Sequence, residues 1–370
     1  MSENRPSRIC SLKCLGSNRR GRERFKMKIR SILLVTVLSL FLMTSLALAK
    51  DEADSGGLTK ITGAGASFPA PLYNKWFKDY YAAHKNVQVD YQSVGSGSGI
   101  KNFMNKTVDF GASDAAMKPE DIEKVDVGVQ LLPMTAGSIV ISYNLKGIPE
   151  LKLSREAYAA IFLGKVTKWN DPLIVKTNPG VSLPDSPINV VVRADASGTS
   201  YVFSKHLAAI NEEFAKSPGV HTMPNWPVGT KSKGNEGVTS SIMTTPGSIG
   251  YLEYGYAKGQ KLPMATIENK AGKFIKPTIE SAQAALAAVE LPENLIGWLP
   301  DPAGADSYPI VTYTWLLTYK KYEDPKKAAA LKNVVEYCLK DGQKSSEQLG
   351  YVPLPESVVG KVQAALNNIK

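Results

Sequence analysis

Four times in the first two thirds of the chain a short apolar run gives way to a Gly/Ser turn and then to a segment with helical spacing. "LTKITGAGASFPAPLYNKWFKDYYAAH" begins with a strand at Leu58 to Ile61, turns at Gly-Ala, and continues with Leu72, Trp76, Tyr80 and Ala83 on one helical face. Pro69 and Pro71 suit a first helical turn, where no backbone N–H is needed. "VQVDYQSVGSGSGIKNFMNKT" alternates Val87, Val89 and Tyr91 before Gly95 to Gly99 and a helix carrying Ile100, Phe103 and Met104. "TVDFGASDAAMKPEDIEKV" is the third unit. "VVVRADASGTSYVF" opens the fourth, whose helix presents Phe203, Leu207, Ile210 and Phe214. Strands alternating with helices in this way predict α/β architecture with largely parallel sheets. A length of 370 residues exceeds what one core usually serves, so two domains are expected.

Beyond these units, "GSIVISYNLKGI" reads as a new strand and "SREAYAAIFLGKVTKWNDPLI" as a helix with a following connection. The stretch 309–320, "PIVTYTWLLTYK", is again a strand, and "DPKKAAALKNVVEYCLK" is a terminal helix. The Gly- and Pro-punctuated region 260–308 holds one Ala-rich helix, 281–290, and no repeat of fixed period is visible.

The amino-terminal end carries a different signal. From Met27, "MKIRSILLVTVLSLFLMTSLALAK" has a basic start, an uncharged apolar run and an Ala47-Leu48-Ala49 exit, the pattern of a secretory signal, so residues 1–49 are read as an N-terminal extension plus signal. The alternative is a retained anchor, since the apolar run nearly reaches spanning length. This segment holds ten of the 44 Lys+Arg and two of the 34 Asp+Glu. The formal charge of +10 therefore falls to about +2 for the remainder, which weakens any nucleic-acid reading. Of three cysteines only Cys338 follows the signal, at helical spacing from Val334 and Val335, so no internal disulfide is possible there and a buried apolar role is expected.

Familiar catalytic motifs are approached and missed. "GAGASF" (63–68) has Phe68 where the third glycine of a dinucleotide fingerprint belongs. "GTKSKGN" (229–235) has Asn235 in place of the phosphate-loop lysine. Neither "GSGSG" nor "ADASGTS" forms a serine elbow. His84, His206 and His221 lie far apart without metal spacing, so no general base, metal or cofactor is indicated. What remains is equipment for holding an anion: helix starts preceded by Gly or Ser, each with free N–H groups and a favourable dipole. Any one of them alone is ordinary N-capping.

Arginine usage narrows the choice. After Ala49 only Arg155 and Arg193 occur, against thirty-two lysines. Arg155 lies near a helix start and is expected to be solvated. Arg193 ends a Val/Ile run, hence the carboxyl end of a buried strand, where open α/β sheets bind ligands. Asp195, two residues on, shares a strand face with Arg193 and would orient its guanidinium, with Ser197, Gly198 and Thr199 as adjacent donors at a helix start.

Seven segments, "TGAGASFPAP", "YQSVGSGSG", "VDFGASDAAM", "GKVTKWND", "VVRADASGTSYVF", "GNEGV" and "PGSIGYLEYGYA", occur in an order that resembles the periplasmic phosphate-binding proteins of phosphate ABC transporters, the PstS type, from about Thr59 to the carboxyl terminus. The resemblance implies a two-domain periplasmic binding protein fold, type II-like, with the ligand in the hinge cleft. Residues 50–134 plus 313–370 would make a discontinuous first domain and 135–312 the second, with crossings near Thr135 and Tyr313. It also implies a phosphate site of Ser67, Phe68, Ser96, Asp114, Arg193, Ser197, Gly198 and Thr199, with Asp195 orienting. Two departures stand out: the family often has Thr where Ser67 stands, and commonly Gly-Ser-Ser-Gly-Gly where this chain has Gly95-Ser96-Gly97-Ser98-Gly99. The implied partners are inorganic phosphate and the membrane permease subunits of an ABC transporter with its ATPase. The implied state is a periplasmic monomer exported by a signal ending near Ala49, without enzymatic activity. The competing readings are a binding protein for sulfate, molybdate or tungstate, an exported hydrolase using Ser197 or Ser200, and an adhesive surface protein.

Overall fold

The computed structural model describes residues 57–370, so the extension and signal read over residues 1–49 lie outside the described residues. Eleven strands are present among them: β1 (Thr59–Gly65), β2 (Val87–Ser93), β3 (Phe110–Ser113), β4 (Val129–Tyr143), β5 (Lys152–Leu153), β6 (Asn189–Arg193), β7 (Thr230–Ser232), β8 (Ser248–Glu253), β9 (Thr266–Glu268), β10 (Phe274–Ile275) and β11 (Val311–Tyr319). The principal helices are α1 (Ala70–Ala83), α2 (Ser96–Met104), α3 (Arg155–Phe162), α4 (Gly198–Ile210), α5 (Gly234–Thr244), α6 (Tyr254–Gly259), α7 (Ile279–Leu286), α8 (Pro325–Leu339) and α9 (Glu356–Leu366).

The main sheet has the order β2-β1-β3-β11-β4-β8-β6-β7, and β10-β9-β5 form a small second sheet. The strand-turn-helix units produce two parallel groups. Strand β1 pairs in parallel with β2 and β3, and β6 with β7 and β8. Between the groups lies an antiparallel pair, β4 with β11, each also antiparallel to its outer neighbour. The sheet is therefore mixed, where a largely parallel one is predicted by the alternating pattern.

The central pair explains why the two groups form one sheet. All fifteen residues of β4 and all nine of β11 are buried, as near-continuous apolar runs covered on both faces require. The stretch from Gly137 read as a new strand is the second half of β4, which runs unbroken from Val129. Its ladder has one irregularity: Thr314 pairs with Thr135 but Trp315 pairs with Pro133, leaving Met134 extra. Proline cannot donate to a ladder, and a bulge at Pro133 is how a central strand accommodates it.

Packing follows the expected faces except at Ala83, which is exposed at the end of α1. Helix α1 buries Leu72, Tyr73, Trp76, Phe77 and Tyr80, and α8 buries Val334, Val335 and Cys338. Burial raises the Cys338 thiol well above its ordinary value, in keeping with an inert apolar role. Beneath β1 the Phe110 ring is fully buried, 5.9 Å from Phe77 and 6.1 Å from Tyr91 between centroids. It lies so close to Gly63 that a Cβ there would come within 2.0 Å of the ring. Gly63→Ala is thus expected to lower the unfolding free energy by about 3 kcal/mol, through the displaced ring, in urea titration. An unchanged midpoint would contradict this packing.

Candidate functional site

Each functional segment begins where a strand ends. After β1 come Ala66 to Phe68 and α1; after β2, Ser96 at the start of α2; after β3, Asp114. After β6 come Asp195 and the Ser197-Gly198-Thr199 start of α4; after β7, Asn235 in the first turn of α5; after β8, α6. Parallel pairing aligns the ends within each group, and because β3 runs in the same sense as β4 whereas β8 runs against it, the two sets of carboxyl ends meet beside the middle of β4, between Pro133 and Ile139.

Hydrogen bonds tie the two sets together. The Gly198 N–H donates to Ser96 Oγ at 3.0 Å and the Asp114 N–H donates to the same oxygen at 3.3 Å. The Gly97 N–H donates to the Ala196 carbonyl at 2.9 Å. Ser67 Oγ accepts from the Asn235 backbone N–H at 3.0 Å and from Asn235 Nδ2 at 2.9 Å; Nδ2 also reaches Thr199 Oγ1 at 3.4 Å. Ser197 caps α4, its hydroxyl accepting from the Ser200 N–H. Ser67, Phe68, Ser96, Asp114, Arg193, Ser197, Gly198 and Thr199 are all buried, and this network joins Ser67 to Thr199 through Asn235 and Ser96 to Asp114 and Gly198.

Three tyrosines shape the loop after β1. Tyr91, Tyr256 and Tyr351 donate their hydroxyls to the carbonyls of Ala66, Ser67 and Phe68, each at 2.7 Å. Three successive carbonyl oxygens are thereby occupied by the scaffold and the Ala66 N–H donates to the Ala112 carbonyl at 2.9 Å, which together fix the loop.

The charges are arranged with equal economy. The Arg193 side chain is 1% exposed. Its Nε and Nη2 donate to the two carboxylate oxygens of Asp195 at 2.8 and 2.5 Å, and Asp195 Oδ1 also accepts from the Gly234 N–H at 3.0 Å. Burial pushes the Asp195 carboxyl up, but the Arg193 hydrogen bonds and charge and the Gly234 donor outweigh it, so it sits below its ordinary range and stays ionised. Arg193 Nη1 is buried and has no hydrogen-bond partner within the protein. Asp114 differs: burial pushes it up to about 7, against the pull of the Thr314 hydroxyl, which donates to Oδ1 at 2.8 Å, and of the Arg193 charge. Chemically the locus is a buried cluster of hydroxyl, amide and guanidinium donors with one acceptor, Asp114, whose pKa is raised.

Several contributors are not apparent from sequence. Asn235 lies within "GNEGV", but its link to Ser67 spans 168 residues. Thr314 and the three tyrosines carry no local signal. Arg155, expected to be solvated, instead makes a bidentate pair with Asp301 at 2.8 and 2.9 Å. His206 is fully enclosed, its Nδ1 at 2.7 Å from the Pro300 carbonyl and its Nε2 at 2.9 Å from the Tyr158 hydroxyl. Among the described residues no cluster of His, Cys, Asp or Glu could hold a metal ion.

Parallel strand groups whose carboxyl ends converge on buried anion donors define the class to which the comparisons lead. A family model described as a PBP superfamily domain matches residues 50–341. Among curated relatives, the phosphate-binding protein PstS of Pasteurella multocida is 41% identical over 342 residues, covering 90% of this chain and 94% of the relative. The phosphate-binding protein PstS of Methanocaldococcus jannaschii is 39% identical over 335 residues, covering 84% and 86%. The chain belongs to the PBP superfamily and, within it, to the PstS family of these relatives. Solved structures show the same fold. A high affinity periplasmic phosphate-binding protein bound with phosphate superposes with a TM-score of 0.70 at 21% identity, covering 83% of this chain and 93% of that one. A putative phosphate ABC transporter substrate-binding protein from Clostridium perfringens, with bound phosphate, gives 0.60 at 16% identity, covering 80% and 100%.

Proposed function

We propose that this chain is an extracytoplasmic solute-binding protein that binds inorganic phosphate and delivers it to the permease and ATPase of a phosphate ABC transporter. The observation that carries the reading is Arg193 Nη1, a buried cationic donor with no protein acceptor, set among the serine and threonine hydroxyls and helix N–H groups. In the proposed division, residues 50–134 with 313–370 make one domain and 135–312 the other, and the bulge at Pro133–Thr135 opposite Thr314 marks the hinge. Ser67, Phe68, Ser96 and Asp114 then face Arg193, Ser197, Gly198 and Thr199 across the cleft. Hydrogen bonds to charged groups contribute roughly 1.5–3 kcal/mol each, so several together reach the roughly 8 kcal/mol of micromolar binding after ordering costs. Export through the amino-terminal signal to the periplasm and action as a monomer complete the proposal.

No catalytic step is assigned. Ser197 Oγ is engaged as the α4 cap and Ser200 Oγ is held by the Tyr251 hydroxyl at 2.6 Å, so neither candidate serine has a histidine as hydrogen-bond partner. Isothermal titration with phosphate, arsenate and sulfate tests the assignment: saturable phosphate heat and none from sulfate are expected. Turnover of a chromogenic phosphate ester that Ser197→Ala abolishes would overturn it in favour of a hydrolase.

Selectivity falls to Asp114. An ionised carboxylate only accepts, and phosphate at neutral pH brings a proton whereas sulfate does not. Burial holds Asp114 at about 7, so at pH 8 the carboxyl is ionised and rejects sulfate, and this rejection weakens as pH falls and the carboxyl gains its own proton. Asp114→Asn supplies a permanent donor. Sulfate binding is expected to strengthen roughly 10- to 100-fold at pH 8 and to lose its pH dependence, with phosphate affinity changed less. Equal sulfate rejection by variant and parent in competition titration would sink this role.

A further inference from the structure

We infer that Asn235 is a positioning residue that turns the Ser67 hydroxyl into an obligatory donor toward the bound anion; this rests on the phosphate-binding reading. A serine hydroxyl has one proton to give and two lone pairs to receive. Both lone pairs of Ser67 Oγ are filled from Asn235, one by its backbone N–H at 3.0 Å and one by Nδ2 at 2.9 Å. The only hydrogen-bonding capacity left to that hydroxyl is its proton. A ligand oxygen with lone pairs satisfies it, whereas a ligand group that offers a hydrogen there meets another hydrogen.

The orientation of the amide is itself pinned. Asn235 Oδ1 accepts from the Glu253 N–H at 3.0 Å, which forces Nδ2 to face Ser67 rather than the reverse. The second Nδ2 hydrogen reaches Thr199 Oγ1 at 3.4 Å, and the Asn235 carbonyl accepts from the Thr239 hydroxyl at 2.7 Å. Both donor groups and both acceptor oxygens of Asn235 are thus engaged within the protein, so it acts through Ser67 and Thr199 and not on the anion. Its side chain is fully buried, at the amino-terminal turn of α5. Ser96 shows the same logic without an asparagine: the Asp114 and Gly198 N–H groups fill its lone pairs and leave its proton free. Ser67 gains both of its fixing bonds, and Ser96 one of them, only from segments beyond residue 193. Bringing the two sets of segments together therefore sets the proton direction of both hydroxyls.

The test replaces a donor by an acceptor of the same shape. Asn235→Asp, when ionised, claims the Ser67 proton and reverses the hydroxyl, so phosphate affinity at pH 8 is expected to fall roughly 30-fold or more. As pH drops toward 5 the introduced carboxyl takes up a proton and donates again, so the ratio of variant to parent dissociation constants shrinks toward one. The other charged neighbours, Glu253, Glu236, Asp195, Arg193 and Asp114, and the phosphate itself are common to both proteins, and the ratio removes their shared contribution. In a Ser67→Ala background Asn235→Asp is expected to cost less than a third of its penalty in the parent. An equal penalty in both backgrounds, or a pH-independent ratio, would show charge repulsion or general damage instead and overturn the inference. Should the acidic variant fail to fold, the neutral pair Asn235→Ala and Ser67→Ala decides the matter: their losses are expected to be strongly sub-additive, and additivity overturns it. A parent that shows no phosphate heat sinks the phosphate reading itself, whereas a parent that binds with an additive cycle sinks only this inference.

Discussion

Arg193→Met is expected to weaken phosphate binding by roughly a hundred- to a thousandfold in isothermal titration. The guanidinium is buried, two of its nitrogens are committed to Asp195, and Nη1 alone has no protein acceptor. Removing one member of a buried, hydrogen-bonded charge set costs roughly 2–5 kcal/mol, part of it from the partner left behind. Here the partner is Asp195, whose carboxylate would keep only the Gly234 N–H and so carry an uncompensated charge beside an anion. The same loss should lower the thermal midpoint of the ligand-free protein. Arg193→Lys separates geometry from charge. An ammonium cannot span both Asp195 oxygens and still direct a donor at the ligand, so lysine should recover the stability more fully than the affinity. Parent-like affinity in Arg193→Met would remove Arg193 from the site.

A smaller change should have a comparable effect. At Gly198 an added methyl would lie 2.5 Å from Ser96 Oγ and 2.6 Å from Asp114 Oδ2, both parts of the proposed opposite wall. The position is glycine because a backbone N–H has to approach those side chains closely, and it donates to Ser96 Oγ at 3.0 Å. Gly198 stands at the first turn of α4, and no positive φ demands glycine there, so alanine is compatible with the helix. Gly198→Ala is therefore expected to fold with a near-parental melting temperature yet to lose phosphate affinity by roughly a hundredfold, since apposition of the walls is what the methyl prevents. Small-angle scattering at saturating phosphate should show the variant more expanded than the parent. A variant that binds and compacts like the parent would contradict the close apposition.

What could be read from sequence, and what could not, follows from how far apart the partners lie. Each strand-turn-helix unit is a local pattern, so α1, α2 and α4 and their Gly/Ser starts are legible, as is the Arg193-Asp195 pair, whose partners are two residues apart, although Asp195 lies just past the end of β6 and not on the strand. The continuity of β4 through Pro133 is not, because a proline inside an apolar run signals an interruption and only pairing with β11 turns it into a bulge. Asn235 invites comparison with a failed phosphate loop, since nothing nearby announces Ser67. Arg155 looks solvated at a helix start until Asp301, 146 residues later, arrives beside it. The tyrosines that fix the Ala66–Phe68 loop come from β2, α6 and the segment before α9, which meet only in the folded chain.

In the proposed site one tetrahedral oxyanion sits between the Ser67, Ser96 and Asp114 side and the Arg193, Ser197 and Thr199 side. Anomalous diffraction at the arsenic edge, from crystals of the protein grown with arsenate, is the sharpest test. A single dominant peak is expected within hydrogen-bonding reach of Arg193 Nη1, the Ser67 and Ser96 hydroxyls and the Asp114 carboxyl at once. A peak that touches only one side, or that leaves Arg193 Nη1 uncontacted, would contradict it.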